Sequence, residues 1–164
     1  LVENASLTAN IHVVNSNITG NGGASSGAGI QISPTGTGRA TVVISNSNLV
    51  NNTIGIRAST AATTGGIGIT VTDTTVAGSS THGFVAEGTS GAVRMMLDRV
   101  VSANNLGNGV QSIGANAMVR IGSSVLTGNA TGVLSTSGGL LQSYGNNQFM
   151  GNTSDGTTTA VSLK

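Results

Sequence analysis

The sequence predicts an all-β fold, a parallel β-helix (solenoid) of about six coils carrying an asparagine ladder. Three observations predict it. A phrase of short strands returns along the chain, its anchor falling at Ile18, Leu49, Val76, Ser102, Leu126 and Phe149, with spacings of 31, 27, 26, 24 and 23 residues. Three residues after each anchor stands a polar residue, namely Asn21, Asn52, Ser79, Asn105, Asn129 and Asn152, so five of the six are asparagine. No stretch has helical periodicity, and Gly or Asn interrupts every apolar run before it reaches helix length.

The elements follow in order within each phrase. The first strand alternates, with Ile11 and Val13, Val42 and Ile44, Ile69 and Val71, Met95 and Leu97, Val119 and Ile121, and then Gln142 and Tyr144 at the inward positions. Alternation marks a strand buried on one face. A polar turn, the anchor and a tight bend at the asparagine come next. A glycine-led strand then follows, as in Gly29-Ile30-Gln31-Ile32, Gly55-Ile56-Arg57-Ala58, Gly83-Phe84-Val85-Ala86, Gly109-Val110-Gln111-Ser112 and Gly132-Val133-Leu134-Ser135. A degraded copy, Ala160-Val161-Ser162-Leu163, ends the chain. Sandwiches and up-and-down barrels are built from hairpins, whose aliphatic positions need not keep phase between repeats. The same three-strand order at this spacing stacks like positions at about 4.8 Å, giving a solenoid roughly 30 Å long. Asparagine suits the bend because it tolerates a left-handed backbone. Its amide can also bond the same amide one coil away.

Composition sets further bounds. Charged residues are 7% of the chain and aromatics 2%, with 26 Gly and one Pro, so solubility rests on Asn, Ser and Thr rather than on ions. A net charge of +1 offers no basic footprint for nucleic acid. No apolar run approaches the ~20 residues that span a bilayer, so no membrane insertion is expected. Without cysteine there is no disulfide frame and no thiolate metal site. The chain reads as one domain over residues 1–164. It starts at Leu1 without Met, which reads as the C-terminal part of a longer chain.

The phrase Ile44-Ser45-Asn46-Ser47-Asn48-Leu49-Val50-Asn51-Asn52, with Gly55-Ile56 after it, resembles the repeat of the right-handed parallel β-helix, pectate-lyase-like superfamily. The likeness covers nearly the whole chain. The C-terminal run Leu140-Leu141-Gln142-Ser143-Tyr144-Gly145-Asn146-Asn147 and Gly151-Asn152-Thr153-Ser154-Asp155-Gly156 is similar to uncharacterised bacterial proteins of that group. The resemblance implies a secreted or cell-surface bacterial protein whose fold carries lyases, hydrolases, adhesins and inert spikes alike. It also implies a ligand groove formed by loops on one side. Longer connections at residues 22–27, 33–38 and 59–66 would place that groove beside the first three coils.

The titratable residues are few. The acids are Glu3, Asp73, Glu87, Asp98 and Asp155, and the histidines are His12 and His82. The repeat puts Asp73 in a polar turn column with Asn15, Asn46, Arg99, Ser123 and Asn146, so Asp73 and Arg99 are expected to pair between coils. Asp98 falls one step along on the next coil. Two carboxylates roughly 6 Å apart would suit a glycosidase or part of a Ca²⁺ site, but Arg99 beside them would neutralise the pair. Arg94 and Arg120 occupy outward strand positions on adjacent coils. The resemblance implies that a lyase would use such an arginine as base, with Ca²⁺ held by an acid cluster, and the columns hold no such cluster. No metal or cofactor is expected, since His12 and His82 fall in different columns.

The leading expectation is a non-catalytic structural or adhesive module that binds a glycan or a protein along a flat face. Arg57, Gln31, Gln111, Arg94 and Arg120 would be presented there in register. One alternative is a polysaccharide-acting enzyme using Asp73, Asp98, Arg94 and Arg120. Another is a self-assembling subunit. Its homo-oligomer contact would be the apolar outer positions Val43, Met96, Met118 and Leu141, joined by Val85 and Leu134, or the unpaired coil ends.

Overall fold

The computed structural model describes residues 4–23 and 27–162. Glu3, Leu163 and Lys164 lie outside the described residues, as do residues 24–26 of the first long connection. The first coil consists of β1 (Thr8–Val14), β2 (Asn17–Thr19) and β3 (Ala28–Ile32). The second is β4 (Arg39–Ser45), β5 (Asn48–Val50) and β6 (Ile54–Ser59), and the third is β7 (Ile67–Thr72), β8 (Thr75–Ala77) and β9 (His82–Glu87). The fourth is β10 (Val93–Asp98), β11 (Val101–Ala103) and β12 (Asn108–Ile113), and the fifth is β13 (Ala117–Gly122), β14 (Val125–Thr127) and β15 (Thr131–Thr136). A sixth is partial: β16 (Leu140–Ser143) and β17 (Gln148–Met150) are followed only by a bridge from Ser154 to Thr131, before β18 (Thr159–Ala160) starts the next. The solenoid therefore has five complete coils rather than about six.

Like strands stack in parallel into three sheets of seven, six and five strands, led by β1, β2 and β3 respectively. No helix occurs among the described residues. The inward columns form one apolar core that includes Val42, Ile44, Leu49, Ile56, Val71, Val76, Leu97, Ile121 and Leu126, with Phe84 at its widest side chain. In the first coil Ile11, Val13 and Ile18 pack on this core but are only partly buried.

The inward phase of the last coil differs from expectation. Leu141 and Ser143 face inward, opposite Val119 and Ile121, while Gln142 faces outward opposite Arg120. Leu141 is 3% exposed, so it belongs to the core and not to an apolar outer face. The cause is one added residue. The step is 22 residues from Val119 to Leu141 (141 − 119) but 23 from Leu126 to Phe149 (149 − 126), so the intervening turn at residues 145–147 is longer by one. Projecting the later spacing back shifts every side chain of β16 to the wrong face.

At the bend before each third strand, the asparagine column forms a hydrogen-bonded ladder. The Asn52 Oδ1 accepts from the backbone N–H and the Nδ2 of Asn21, at 2.9 and 3.2 Å. The Asn129 Oδ1 accepts likewise from Asn105 at 3.1 and 2.9 Å, and the Asn152 Oδ1 from Asn129 at 2.9 and 3.0 Å. The left-handed conformation belongs not to these asparagines but to the residue before each: Gly20, Asn51, Gly78, Asn104, Gly128 and Gly151. The glycine that leads the third strand has its own reason. A Cβ on Gly29, Gly83, Gly109 or Gly132 would lie 2.9–3.1 Å from the Nδ2 of the ladder asparagine Asn52, Asn105, Asn129 or Asn152. The strand must be bare there for the buried amide to fit.

Of the long connections, the described residues at 33–38 and 60–66 stack on one another. Gly36 bridges Thr63 in parallel, and the Thr63 hydroxyl donates to Gly36 O and Gly38 O at 3.2 and 2.8 Å. The buried Thr60 hydroxyl donates to Gly91 O at 2.7 Å. Residues 33–38, 60–66 and 88–92 thus stack on one another as the strands do.

Candidate functional site

The outer face of the seven-stranded sheet carries two adjacent columns of side chains. One runs Thr41, Gly68, Arg94, Met118, Leu140, and the other runs Val43, Thr70, Met96, Arg120, Gln142. Arg94 therefore pairs with Met118, and Met96 with Arg120, so the two arginines sit on adjacent coils but in different columns. Thr41, Val43, Gly68, Thr70, Arg94, Met96, Met118, Arg120 and Tyr144 line a depression of about 650 Å³. A second hollow of about 640 Å³ shares Met96, Arg120 and Tyr144 and adds Asp98, Ser123 and Asn146. Together they make one trough over the second to sixth coils, built from strands and one turn column rather than from the long connections of the first three coils.

The cations of this trough are held in place by uncharged groups. The Arg94 Nη1 donates to Val93 O and Asn116 O at 3.2 and 2.8 Å. The Arg120 Nε donates to the Gln142 Oε1 at 2.7 Å. Among the described residues neither has a carboxylate partner.

The candidate acids are both engaged by Arg99. Arg99 grips Asp73 with two parallel bonds, Nε to Oδ1 at 2.8 Å and Nη2 to Oδ2 at 2.9 Å, and its Nη1 also reaches the Asp98 Oδ2. The Arg99 hydrogen bond holds the Asp73 carboxyl below its ordinary value, and Asp73 in turn raises the guanidinium. One arginine thus ties both carboxylates. A general acid must keep its proton near neutral pH, and Asp73 is shifted the opposite way.

Gln31, Arg57 and Gln111 line up on the outer face of the five-stranded sheet, in the column Gln31, Arg57, Val85, Gln111, Leu134. They are thus on a different sheet from Arg94 and Arg120, so the five expected binding residues do not share one surface. The Arg57 Nη2 meets the Glu87 Oε2 at 2.6 Å. Val85 faces outward yet is 3% exposed, at the bottom of a dish of about 260 Å³ ringed by Arg57, His82, Glu87 and Gln111. His82 opens β9, and its Nδ1 accepts from the Asn108 N–H at 3.0 Å. That bond needs the neutral ring, and burial lowers the His82 pKa accordingly. His12 is exposed on β1. Among the described residues no group of three or more His, Cys, Asp or Glu could hold a metal ion, and no helix is long and apolar enough to cross a membrane.

Sequence reasoning missed three features. Gly68 and Tyr144 shape the trough: the first was one glycine among many, and the second was put inward by the shifted phase. A second ladder, of hydroxyls, runs beside the asparagine one. Ser16 N–H donates to Ser47 Oγ, Ser47 N–H to Thr74 Oγ1 and Val100 N–H to Ser124 Oγ, at 3.1, 3.4 and 3.1 Å. Its signal was present in Ser45-Asn46-Ser47 and Thr72-Asp73-Thr74, where a hydroxyl follows the turn residue. No protein-family model, curated protein or solved structure shows a significant match to this chain.

Proposed function

We propose that this chain is a non-catalytic adhesive module that binds an extended ligand, glycan or protein, along the outer face of its seven-stranded sheet. The observation that carries the reading is the trough itself. It crosses several coils, it is floored by Met96, Met118 and Val43, and it is flanked by two arginines whose heads are held by uncharged acceptors. Concave apolar surfaces with a few fixed polar groups are where ligands bind. The finer parts of the proposal are membership of the right-handed pectate-lyase-like group and export to a bacterial surface. They draw support from the repeat around Asn52 and from low charge with no cysteine.

A polysaccharide-acting enzyme is the second reading, and one observation favours it: Asp98 and Arg120 line the same hollow. It is the weaker one because Arg99 engages Asp98 and Asp73 together. Screening the purified chain against an array of neutral and acidic glycans and against protein extracts tests both. The adhesive reading expects binding that Arg120→Ala weakens, with no shortening of a bound polymer. Absence of any ligand, or depolymerisation that Asp98→Ala abolishes, overturns it.

A further inference from the structure

We propose that the trough on the seven-stranded sheet takes an extended polypeptide whose exposed face alternates acidic and apolar side chains. This rests on the binding reading above and names the ligand. The register makes a checkerboard: Arg94 faces Met118, and Met96 faces Arg120. Cations fill one diagonal and thioethers the other. Along each strand same-face residues lie about 6.6 Å apart, so cation and thioether alternate at that interval, Arg94 then Met96 on β10 and Met118 then Arg120 on β13. An extended peptide presents same-face side chains at nearly that interval. Carboxylates on one subset and aliphatic groups on the other would meet guanidinium and thioether in turn.

The lining chemistry favours this ligand. The Arg94 Nη1 and the Arg120 Nε are occupied by uncharged acceptors. That orients each head while leaving other N–H groups to meet a planar carboxylate in two-point fashion. Ordering the arginines beforehand lowers the entropy lost on binding. Methionine adapts to irregular aliphatic shapes, whereas flat sugar rings stack on aromatic platforms, and Tyr144 is the one aromatic residue lining the trough.

Gly68 supplies a separate observation. It sits in the floor between Thr41 and Arg94, in the middle of β7. A Cβ there would meet nothing within 4 Å, and its φ lies outside the left-handed region. Neither packing nor backbone geometry requires glycine, and a glycine inside a strand weakens it. What its small size does is leave room above the sheet, next to Arg94 and Thr70, for an apolar anchor from the ligand.

The experiment uses the whole chain and four probes: a fluorescent peptide built from Glu-Thr-Leu-Thr repeats, its Lys-Thr-Leu-Thr counterpart, an alginate oligomer, and vesicles of anionic phospholipid. The inference expects salt-sensitive binding of the glutamate peptide alone. Gly68→Phe should abolish it while the far-ultraviolet spectrum and melting temperature hold or rise. Arg94→Gln and Arg120→Gln should each weaken it by about tenfold, the range of one charge-assisted contact. Equal binding of the lysine peptide, or undiminished binding by Gly68→Phe and Arg120→Gln alike, overturns the inference. If alginate or vesicles bind and the glutamate peptide does not, the ligand assignment fails while the face remains a binding face. Silence from all four probes overturns the inference alone, and the array described above decides the binding reading.

Discussion

Each coil makes two tight bends, and the two are built with different chemistry. Before the second strand the left-handed residue is Asn15, Asn46, Asp73, Arg99 or Ser123, all exposed. Before the third strand it is glycine or asparagine, and the residue after it is the ladder amide, buried at Asn52, Asn105 and Asn129, or Ser79 in its place. The backbone problem is the same at both. At the first bend the following hydroxyl bonds a carbonyl two residues back, as Ser47 does to Ser45 O at 2.8 Å and Thr74 to Thr72 O at 2.8 Å. That local bond adds to the hydroxyl ladder between coils, and the left-handed side chain projects into solvent, where even Arg99 is accepted. At the second bend the brace comes from the next coil, through an amide long enough to reach it. The interruptions follow the same logic. Val100 breaks the hydroxyl column but joins the apolar core. Ser79 breaks the amide column, and its buried hydroxyl finds no partner.

Removing an inter-coil brace should have the largest effect. Asn129→Ala deletes the acceptor for the Asn105 N–H and Nδ2, and both bonds the Asn129 amide donates, to Ser102 O and Asn152 Oδ1 at 3.0 Å each. Buried groups are left unsatisfied, at about 1–3 kcal/mol apiece, so a loss of about 3 kcal/mol or more is expected in urea unfolding. A loss under about 1 kcal/mol would show that the amide column braces the bend no better than local contacts do. Repairing the interrupted rung should act in the opposite direction and more weakly. Ser79→Asn gives Asn52 an acceptor and replaces a partnerless hydroxyl, for a gain of about 1 kcal/mol. A fall in the urea midpoint would mean that the pocket around Ser79 cannot accept the added volume.

The amide ladder and one inter-coil ion pair were legible in the sequence, although the hydroxyl ladder, which also repeats, was not. Asn52, Asn105 and Asn129 recur with their anchors, and the Asp73–Arg99 pair follows from stacking two turn residues. Also illegible was whatever departs from the repeat by one residue. The added residue at 145–147 sent Leu141 to the core and Tyr144 to the trough, and no local signal marks an insertion within a run of Gly and Asn. The trough was illegible for another reason. It needs the pairing of Arg94 with Met118 and of Met96 with Arg120, which follows only from strand register. Spacing alone put both arginines on one face but could not show that they lie on a diagonal, nor that Gly68 opens the floor beside them. Gln31, Arg57 and Gln111 were grouped with the arginines because outward positions of different sheets look alike in a linear chain.

The smallest effect is expected at the first bend, where the left-handed side chain faces solvent. Arg99→Asn removes the paired contact to Asp73 but installs a residue that tolerates the left-handed backbone at φ 51°. Exposed ion pairs contribute little, so the melting temperature near neutral pH should not measurably change. The acid side distinguishes the two chains. In the parent, Asp73 titrates below its ordinary 3.8 because of Arg99. The stability this represents is present above the unfolded value and is lost as pH falls through the lowered folded one. In Arg99→Asn that loss should vanish, leaving a flatter stability profile below 3.8 and an Asp73 carboxyl signal that titrates higher by nuclear magnetic resonance. A large drop in melting temperature at neutral pH would show that the outer bend depends on Arg99 after all, and that the two bends are braced alike.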